Sequence, residues 1–216
     1  MKDKKHRIKS IKVNAILNVT KQLCKVVFPL ITMPYVTRVL QASGYGKYNF
    51  SSSIVSYFIL LAELGISDYA IREGARIRGN KKKFQIFSEE VFTINILSTI
   101  ASYMILFVLL LFSKKLLDYR LLIIVQSMSI ILNTIGCDWI NSVYEDYFYI
   151  TVRYIVIQIL SVIMLFVLVK NADDYVMYAF VTSIASAGGN ILNVFYIRRY
   201  VHLRVCLLYT SDAADD

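Results

Sequence analysis

The sequence predicts an all-α integral membrane protein with six transmembrane helices. Hydrophobic residues make up 57% of its 216 residues and charged residues only 18%, whereas soluble domains are about half apolar and about a quarter charged. The apolar residues fall in blocks about 20 residues long, the length that a helix needs to cross the hydrocarbon core of a bilayer. The net charge of +9 lies between these blocks, so nucleic acid is not an expected partner.

The six predicted spans are the apolar blocks at residues 13–35, 46–68, 88–112, 120–140, 150–169 and 175–197. Together they form a transmembrane unit over residues 13–204, preceded by a basic segment, 1–12. The longest connection, 69–87, is predicted to be a loop. The tail at 205–216 contains three Asp and no Lys or Arg. We interpret this tail as non-native sequence, and the alternative is a short native cytoplasmic tail.

The distribution of Lys and Arg predicts the orientation of the spans. Of 24 such residues, 16 lie in segments on the side of the N-terminus, six on the opposite side and two within the first span. Because Lys and Arg are enriched in the cytoplasmic loops of membrane proteins, both ends of the transmembrane unit are expected to be cytoplasmic. The connection 69–87 is then cytoplasmic, and the short segment 113–119 lies outside.

Four polar residues of the first span lie on one face of a helix. Asn14, Asn18, Lys21 and Lys25 are spaced at i, i+4, i+7 and i+11, which lines them up along the helix. A charge at the bilayer centre costs at least about 2.5–3.5 kcal/mol, so the two lysines predict a cationic stripe that faces a hydrated cavity. The alternative is that the span begins nearer Val19 and that both ammonium groups reach the lipid headgroups.

Two carboxylates are the candidates for ion coupling. Glu63, in the second span, is placed to pair with Lys21 or to carry a coupling proton; the alternative is a hydrated carboxylate near the interface. Asp138 lies near the end of the fourth span. An aromatic belt at the cytoplasmic boundary is predicted from neighbouring residues: Trp139, Tyr144, Tyr147, Phe148 and Tyr149.

Signals for an enzyme, a metal or a cofactor are weak. The two histidines, His6 and His202, are isolated near the ends of the chain, and the three cysteines lack metal-ligand spacing. No glycine-rich phosphate loop is present in the sequence. We therefore expect no catalytic residues, no metal and no cofactor.

Three stretches resemble one transporter family. FPLITMPYVTRVL (28–40) and GYGKYNFSSSIVSYFILLAELGISDYAIREGARIR (44–78) resemble the N-terminal part of Wzx-type flippases of O-antigen and capsular polysaccharide. DWINSVYEDYFYITVR (138–153) is similar to the segment between their fourth and fifth helices. The resemblance covers roughly residues 9–204. The sequence departs from it at 41–43, where relatives often have Gly-Pro, and at 140–143.

The resemblance implies a fold and a function. It implies one six-helix lobe of a two-lobe transporter of the MATE-like exporter superfamily, and this chain would be the N-terminal half. Such proteins move undecaprenyl-diphosphate-linked oligosaccharide across the bacterial inner membrane. Lys21, Lys25 and Arg38 would bind the diphosphate, with Asn14 and Asn18 in the same site. Membrane lipid and other membrane proteins of polysaccharide assembly are further expected partners.

Two alternatives remain open. One is another exporter of the same superfamily, for drugs or for a peptidoglycan precursor, although two lysines in the first span oppose a site for organic cations. The other is a membrane enzyme, such as a polysaccharide polymerase or acyltransferase. That function needs an outward-facing loop with clustered Arg, His or carboxylates, and the later two outer loops offer few such residues: Asp118, Arg120, Asp173 and Asp174.

Overall fold

The structure is a computed structural model that describes residues 11–205. This part of the chain is almost entirely helical and contains no strand, so the predicted all-α membrane class is confirmed. Its α-helices are α1 (Ile11–Glu63), α2 (Ile66–Ile77), α3 (Lys81–Phe112), α4 (Arg120–Gly136), α5 (Asp138–Val143), α6 (Tyr147–Leu168), α7 (Tyr175–Ser183) and α8 (Gly189–Tyr196). Two 3₁₀ helices cover Lys114–Tyr119 and Ile197–Arg199, and a π-helical turn joins α7 to α8 at Ile184–Gly188. The predicted basic start and the predicted tail lie, apart from their innermost residues, outside the described residues.

Five helical segments of the described chain are long and apolar enough to cross a membrane. They are Lys12–Ile77, Lys81–Phe112, Lys114–Gly136, Tyr147–Leu168 and Tyr175–Arg199. The first contains two of the predicted spans, because α1 is interrupted at Gln41, whose backbone has φ 56° and ψ −179°. The predicted number of six spans is therefore not confirmed by length and composition, and it stays a prediction.

The part of α1 before this break runs alongside α6 in the same direction. Near its start, the Thr151 hydroxyl donates a hydrogen bond to the Leu17 carbonyl over 3.1 Å. Near its end, the Tyr35 hydroxyl donates to the Val169 carbonyl over 2.7 Å. Both pairs join residues 134 positions apart, which is the pattern of two parallel helices in register.

The part of α1 after the break runs the opposite way. It lies parallel to α7, because Gly44 approaches Ala172 and, further on, the rings of Tyr48 and Tyr178 are 4.4 Å apart. Helices α6 and α7 pack against each other and are joined by a short connection, so they are antiparallel. The chain therefore reverses direction at the break in α1, where the sequence predicts a connection between two spans.

The predicted loop at 69–87 is instead helical, since it holds most of α2 and the first turns of α3. Ala70 is fully buried in a cluster with Phe84, Trp139 and Val143. Gly74 lies so close to Val143 that a Cβ on the glycine would be 2.9 Å from its Cγ2. Small and apolar residues recur every three or four positions in this segment, as in an amphipathic helix. The helix was not predicted because charged residues are frequent between them.

Part of the predicted aromatic belt packs inside the protein. Trp139 is only 4% exposed. The ring of Tyr144 stacks on Tyr200, and the ring of Tyr149 stacks on Tyr196. These residues lie at the end of the molecule that carries α2 and α5, which we call the α5 end. The opposite end carries the break in α1, and we call it the Gln41 end.

Candidate functional site

A polar cleft lies between the first part of α1, helix α6 and the α7–α8 segment. It consists of two adjoining cavities. The one nearer the α5 end, the charged cavity, has a volume of about 160 Å³. The one toward the Gln41 end, the tyrosine cavity, has a volume of about 640 Å³. The two are continuous, because four residues line both: Lys25, Tyr154, Ala185 and Ser186.

Arg153 of α6 is the central cation of the charged cavity. It is 8% exposed, and its Nη2 donates to both carboxylate oxygens of Asp138, over 2.5 and 2.7 Å. Its Nη1 is buried and has no hydrogen-bond partner among the described residues. A buried guanidinium nitrogen without a partner is costly. Because Arg153 lines the charged cavity, its guanidinium is a candidate donor to an anion bound there.

Asp138 is held in place by a chain of amides. Asn193 of α8 is fully buried and donates to Asp138 Oδ1 over 3.1 Å and to the Gly136 carbonyl over 2.5 Å. The Asn193 Oδ1 in turn accepts a hydrogen bond from Asn141 over 2.6 Å. The left-handed backbone of Cys137, with φ 46°, ends α4 and places Asp138 at the first position of α5. The carboxylate is therefore fixed by three helices.

Lys21 and Lys25 of α1 complete the charged cavity. Lys21 is half-buried beside Asp138 and Arg153, and Lys25, one turn further along α1, is exposed and reaches the boundary between the two cavities. Helix α1 is already formed at Ile11, so both lysines lie well inside it. With one carboxylate and three cations, the charged cavity has a formal charge of +2.

The other residues predicted for the site lie elsewhere. Asn14 is buried and Asn18 is exposed, and neither lines the two cavities. Arg38 is exposed near the Gln41 end and also lies outside both cavities. Glu63 is half-buried at the end of α1 and forms no ion pair with Lys21 among the described residues. Of the two carboxylates predicted for ion coupling, the structure brings only Asp138 to the cationic site.

The tyrosine cavity combines aromatic rings with neutral hydrogen-bonding groups. Tyr45, Tyr48 and Tyr178 form a cluster in which the centroids of Tyr48 and Tyr178 are 4.4 Å apart and those of Tyr45 and Tyr48 are 6.1 Å apart. Hydroxyl and amide side chains line the remaining wall: Thr32, Asn49, Ser52, Gln158, Ser161, Thr182 and Ser186. Such a surface offers stacking faces together with donors and acceptors for a polar, uncharged ligand.

Comparison with protein families identifies the class of protein. A family model described as polysaccharide biosynthesis protein matches residues 11–212. This chain belongs to the polysaccharide biosynthesis protein family. Comparison with curated proteins and with solved structures gives no match. Family membership and the apolar helices together make this a membrane protein of polysaccharide biosynthesis.

The most important residue of this polysaccharide biosynthesis protein that sequence analysis missed is Arg153. The fifth span was predicted to begin at 150, so Arg153 was counted as a cation near the membrane interface. Helix α6 begins at Tyr147, so Arg153 lies in its second turn, where it lines the charged cavity. The tyrosines of the larger cavity were also missed, because Tyr45 and Tyr178 are far apart in sequence and no local pattern joins them.

Proposed function

We propose that this polysaccharide biosynthesis protein is a flippase that moves an undecaprenyl-diphosphate-linked oligosaccharide across the bacterial inner membrane. The observation that carries the proposal is the buried Arg153, which has an unpaired Nη1 and lines the charged cavity together with two lysines. Lys21, Lys25 and Arg153 bind the diphosphate in this proposal. The resemblance to Wzx-type flippases and the family match both support it.

The electrostatics of the charged cavity suit a diphosphate diester. Such a group carries two negative charges, which equal the formal charge of +2 in the cavity. Moving an ion into hydrocarbon without partners is prohibitively unfavourable, whereas a site with fixed cations lowers that barrier. Arg153 offers a planar donor fork and the lysines offer point charges. No covalent bond is broken in this transfer, so the proposed protein is a transporter and not an enzyme.

The tyrosine cavity suits the glycan. It is about 640 Å³ against about 160 Å³ for the charged cavity, so the bulkier sugar is placed there and the phosphates beside Arg153. The hydroxyl and amide side chains of this cavity replace water around the sugar hydroxyls. The polyprenyl chain remains in the surrounding membrane lipid. In the predicted orientation, the charged cavity lies nearer the cytoplasm, where the lipid-linked oligosaccharide is made.

Asp138 is the residue that the arrangement favours for coupling to an ion. It neutralises Arg153 when the cavity holds no substrate, because both carboxylate oxygens accept from the same guanidinium nitrogen. A phosphate that binds Arg153 competes with this carboxylate. Protonation of Asp138, or binding of a cation to it, would release Arg153 for the substrate.

Export of surface polysaccharide tests the proposal. The protein is expressed from its full reading frame in cells that lack their own flippase, and export is normalised to the amount of protein in the membrane. We expect Lys25→Ala to reduce export at least about fivefold, the factor for about 1 kcal/mol of lost charge interaction. Lys25→Arg should reduce it less, and Lys21→Ala should have a weaker effect than Lys25→Ala.

Arg153→Gln should have the largest effect, and the matched control is Arg72→Ala. Arg72 is an exposed cation of α2 that lines neither cavity, so its loss should leave export unchanged. Wild-type export by the Lys21→Ala/Lys25→Ala double variant would end the proposal that this cavity binds the diphosphate. A purified protein that lengthens or acylates the oligosaccharide would instead support the enzyme alternative.

A further inference from the structure

A second groove, separate from the polar cleft, lies between α3 and α4 toward the Gln41 end. Its volume is about 330 Å³, and its walls are mostly apolar. Leu106, Phe107, Leu110 and Leu111 of α3 form one side and Ile124 of α4 the other. The groove shares no lining residue with the charged cavity or the tyrosine cavity. The proposed transport function therefore does not use it.

Arg120, the first residue of α4, also lines this groove. Its Nε and Nη2 both donate to the Leu110 carbonyl, over 3.1 and 2.7 Å. The carbonyls of the last turn of a helix lack partners and carry partial negative charge, so these hydrogen bonds hold the guanidinium at the end of α3. The Nη1 of Arg120 makes no hydrogen bond to any of residues 11–205. Arg120 lines the groove, and its third nitrogen is therefore a candidate donor to a ligand there.

Two more cations lie in the short helix that precedes Arg120. Lys114 and Lys115 lie in the 3₁₀ helix that directly precedes α4, and both are exposed. The three residues are half of the six Lys and Arg residues predicted on the outer side of the membrane. Outer segments normally carry few such residues, and Asp118 is the single acidic residue of this segment. The local excess of positive charge therefore favours an anionic ligand.

We propose that the groove binds an anionic phospholipid. One acyl chain lies against the leucines and Phe107, and the lipid phosphate binds Arg120 Nη1 with Lys114 and Lys115 close by. An acyl chain alone explains the apolar walls but not the cations, and a soluble anion explains the cations but not the walls. A phospholipid explains both the apolar walls and the cations, because it carries an anionic phosphate and acyl chains in one molecule.

Lipid retention by the purified chain tests this proposal. Phosphatidylglycerol or phosphatidylcholine is added at equal concentration, and the bound lipid is quantified by native mass spectrometry. We expect phosphatidylglycerol to bind at least tenfold more tightly. The Lys114→Gln/Lys115→Gln variant should bind it about 25-fold more weakly, at about fivefold for each lysine near an anionic headgroup. Arg120 is left unchanged, because it also holds the end of α3.

The matched control is Lys82→Gln/Lys83→Gln, which removes two exposed cations from the opposite end of α3. This variant should bind phosphatidylglycerol as the wild type does; an equal loss in both double variants would overturn the proposal. Ile124→Trp fills the groove without changing its charge and should also lose the lipid, and unchanged binding by this variant would contradict the assigned groove. Binding of undecaprenyl phosphate without binding of phosphatidylglycerol would show that the site takes a different lipid from the one proposed.

Discussion

Replacement of Asp138 by Asn should weaken the fold and strengthen anion binding at the same time. The variant keeps the shape of the side chain, and its Oδ1 can still accept the hydrogen bond from Asn193. It removes the only carboxylate that lines the charged cavity. Arg153, which is 8% exposed, then keeps its charge in a buried position without a counter-ion.

The size of both effects follows from the geometry. Hydrogen bonds to charged groups contribute about 1.5–3 kcal/mol, and the lower end applies because the Asp138 side chain is 46% exposed. A loss of about 1.5 kcal/mol lowers the melting temperature by about 3–6 °C in a protein of this size. The charge of the cavity rises from +2 to +3. One further unit charge at about 4 Å contributes about 1–2 kcal/mol in a half-hydrated site, which is about 5- to 30-fold in affinity.

The single tryptophan offers a direct assay. Trp139 is adjacent to Asp138 and is 4% exposed, so its fluorescence should report binding of inorganic pyrophosphate to the purified protein. We expect Asp138→Asn to bind pyrophosphate more tightly than the wild type and Arg153→Gln to bind it more weakly. Asp118 is an exposed carboxylate of the segment between α3 and α4. Asp118→Asn is therefore the control and should leave the affinity for pyrophosphate unchanged. Pyrophosphate affinity that falls or stays constant in Asp138→Asn would show that Asp138 does not compete with an anion for Arg153.

Three further predictions concern the fold. Gln41→Gly should raise the melting temperature, because φ 56° with ψ −179° lies in a region essentially confined to glycine, where a side chain costs about 1–3 kcal/mol; an unchanged or lower melting temperature would contradict this. Gly136→Ala should lower the melting temperature, since the added Cβ would lie 2.5 Å from Asn190 Cγ. Gly46→Ala serves as the control, because a Cβ at Gly46 would meet nothing within 4 Å. Two backbone N–H groups donate to Asp174 and lower the pKa of its carboxyl. Its stabilising contribution is therefore present at neutral pH and lost as the pH falls through that lowered pKa, so Asp174→Asn should melt earlier than wild type at pH 7 but not in acid.

The helical period explains what the sequence could predict of the site. Lys21 and Lys25 are four positions apart, and an α-helix places such residues on one face. Both indeed reach the same cavity. Asn14 and Asn18 lie outside both cavities, because the neighbouring helices decide which part of a long helix face lines a cavity. Thr151 of α6 packs at Leu17, close to where the polar stripe was expected to begin.

Backbone breaks explain what the sequence could not predict. The pairing of Arg153 with Asp138 depends on the turn at Cys137, where φ is 46°, and cysteine is not a residue that favours such a turn. The reversal of α1 likewise occurs at Gln41 rather than at a neighbouring glycine. The tyrosine cavity joins parts of α1 to α7, and contacts over such a sequence distance leave no local pattern. These features arise from packing and not from short-range preference.

Photo-crosslinking from the boundary of the two cavities tests the central proposal most directly. A p-benzoyl-phenylalanine is placed at Ser186, which lines both cavities, or at Ser53, an exposed position of α1 outside them. Irradiated membranes of cells that make the lipid-linked oligosaccharide are then analysed by mass spectrometry. We predict an adduct with the polyprenyl-diphosphate oligosaccharide at Ser186, lost in the Lys21→Ala/Lys25→Ala background, and only phospholipid adducts at Ser53. Equal oligosaccharide adducts at both positions, or a Ser186 adduct that survives the loss of both lysines, would contradict the account.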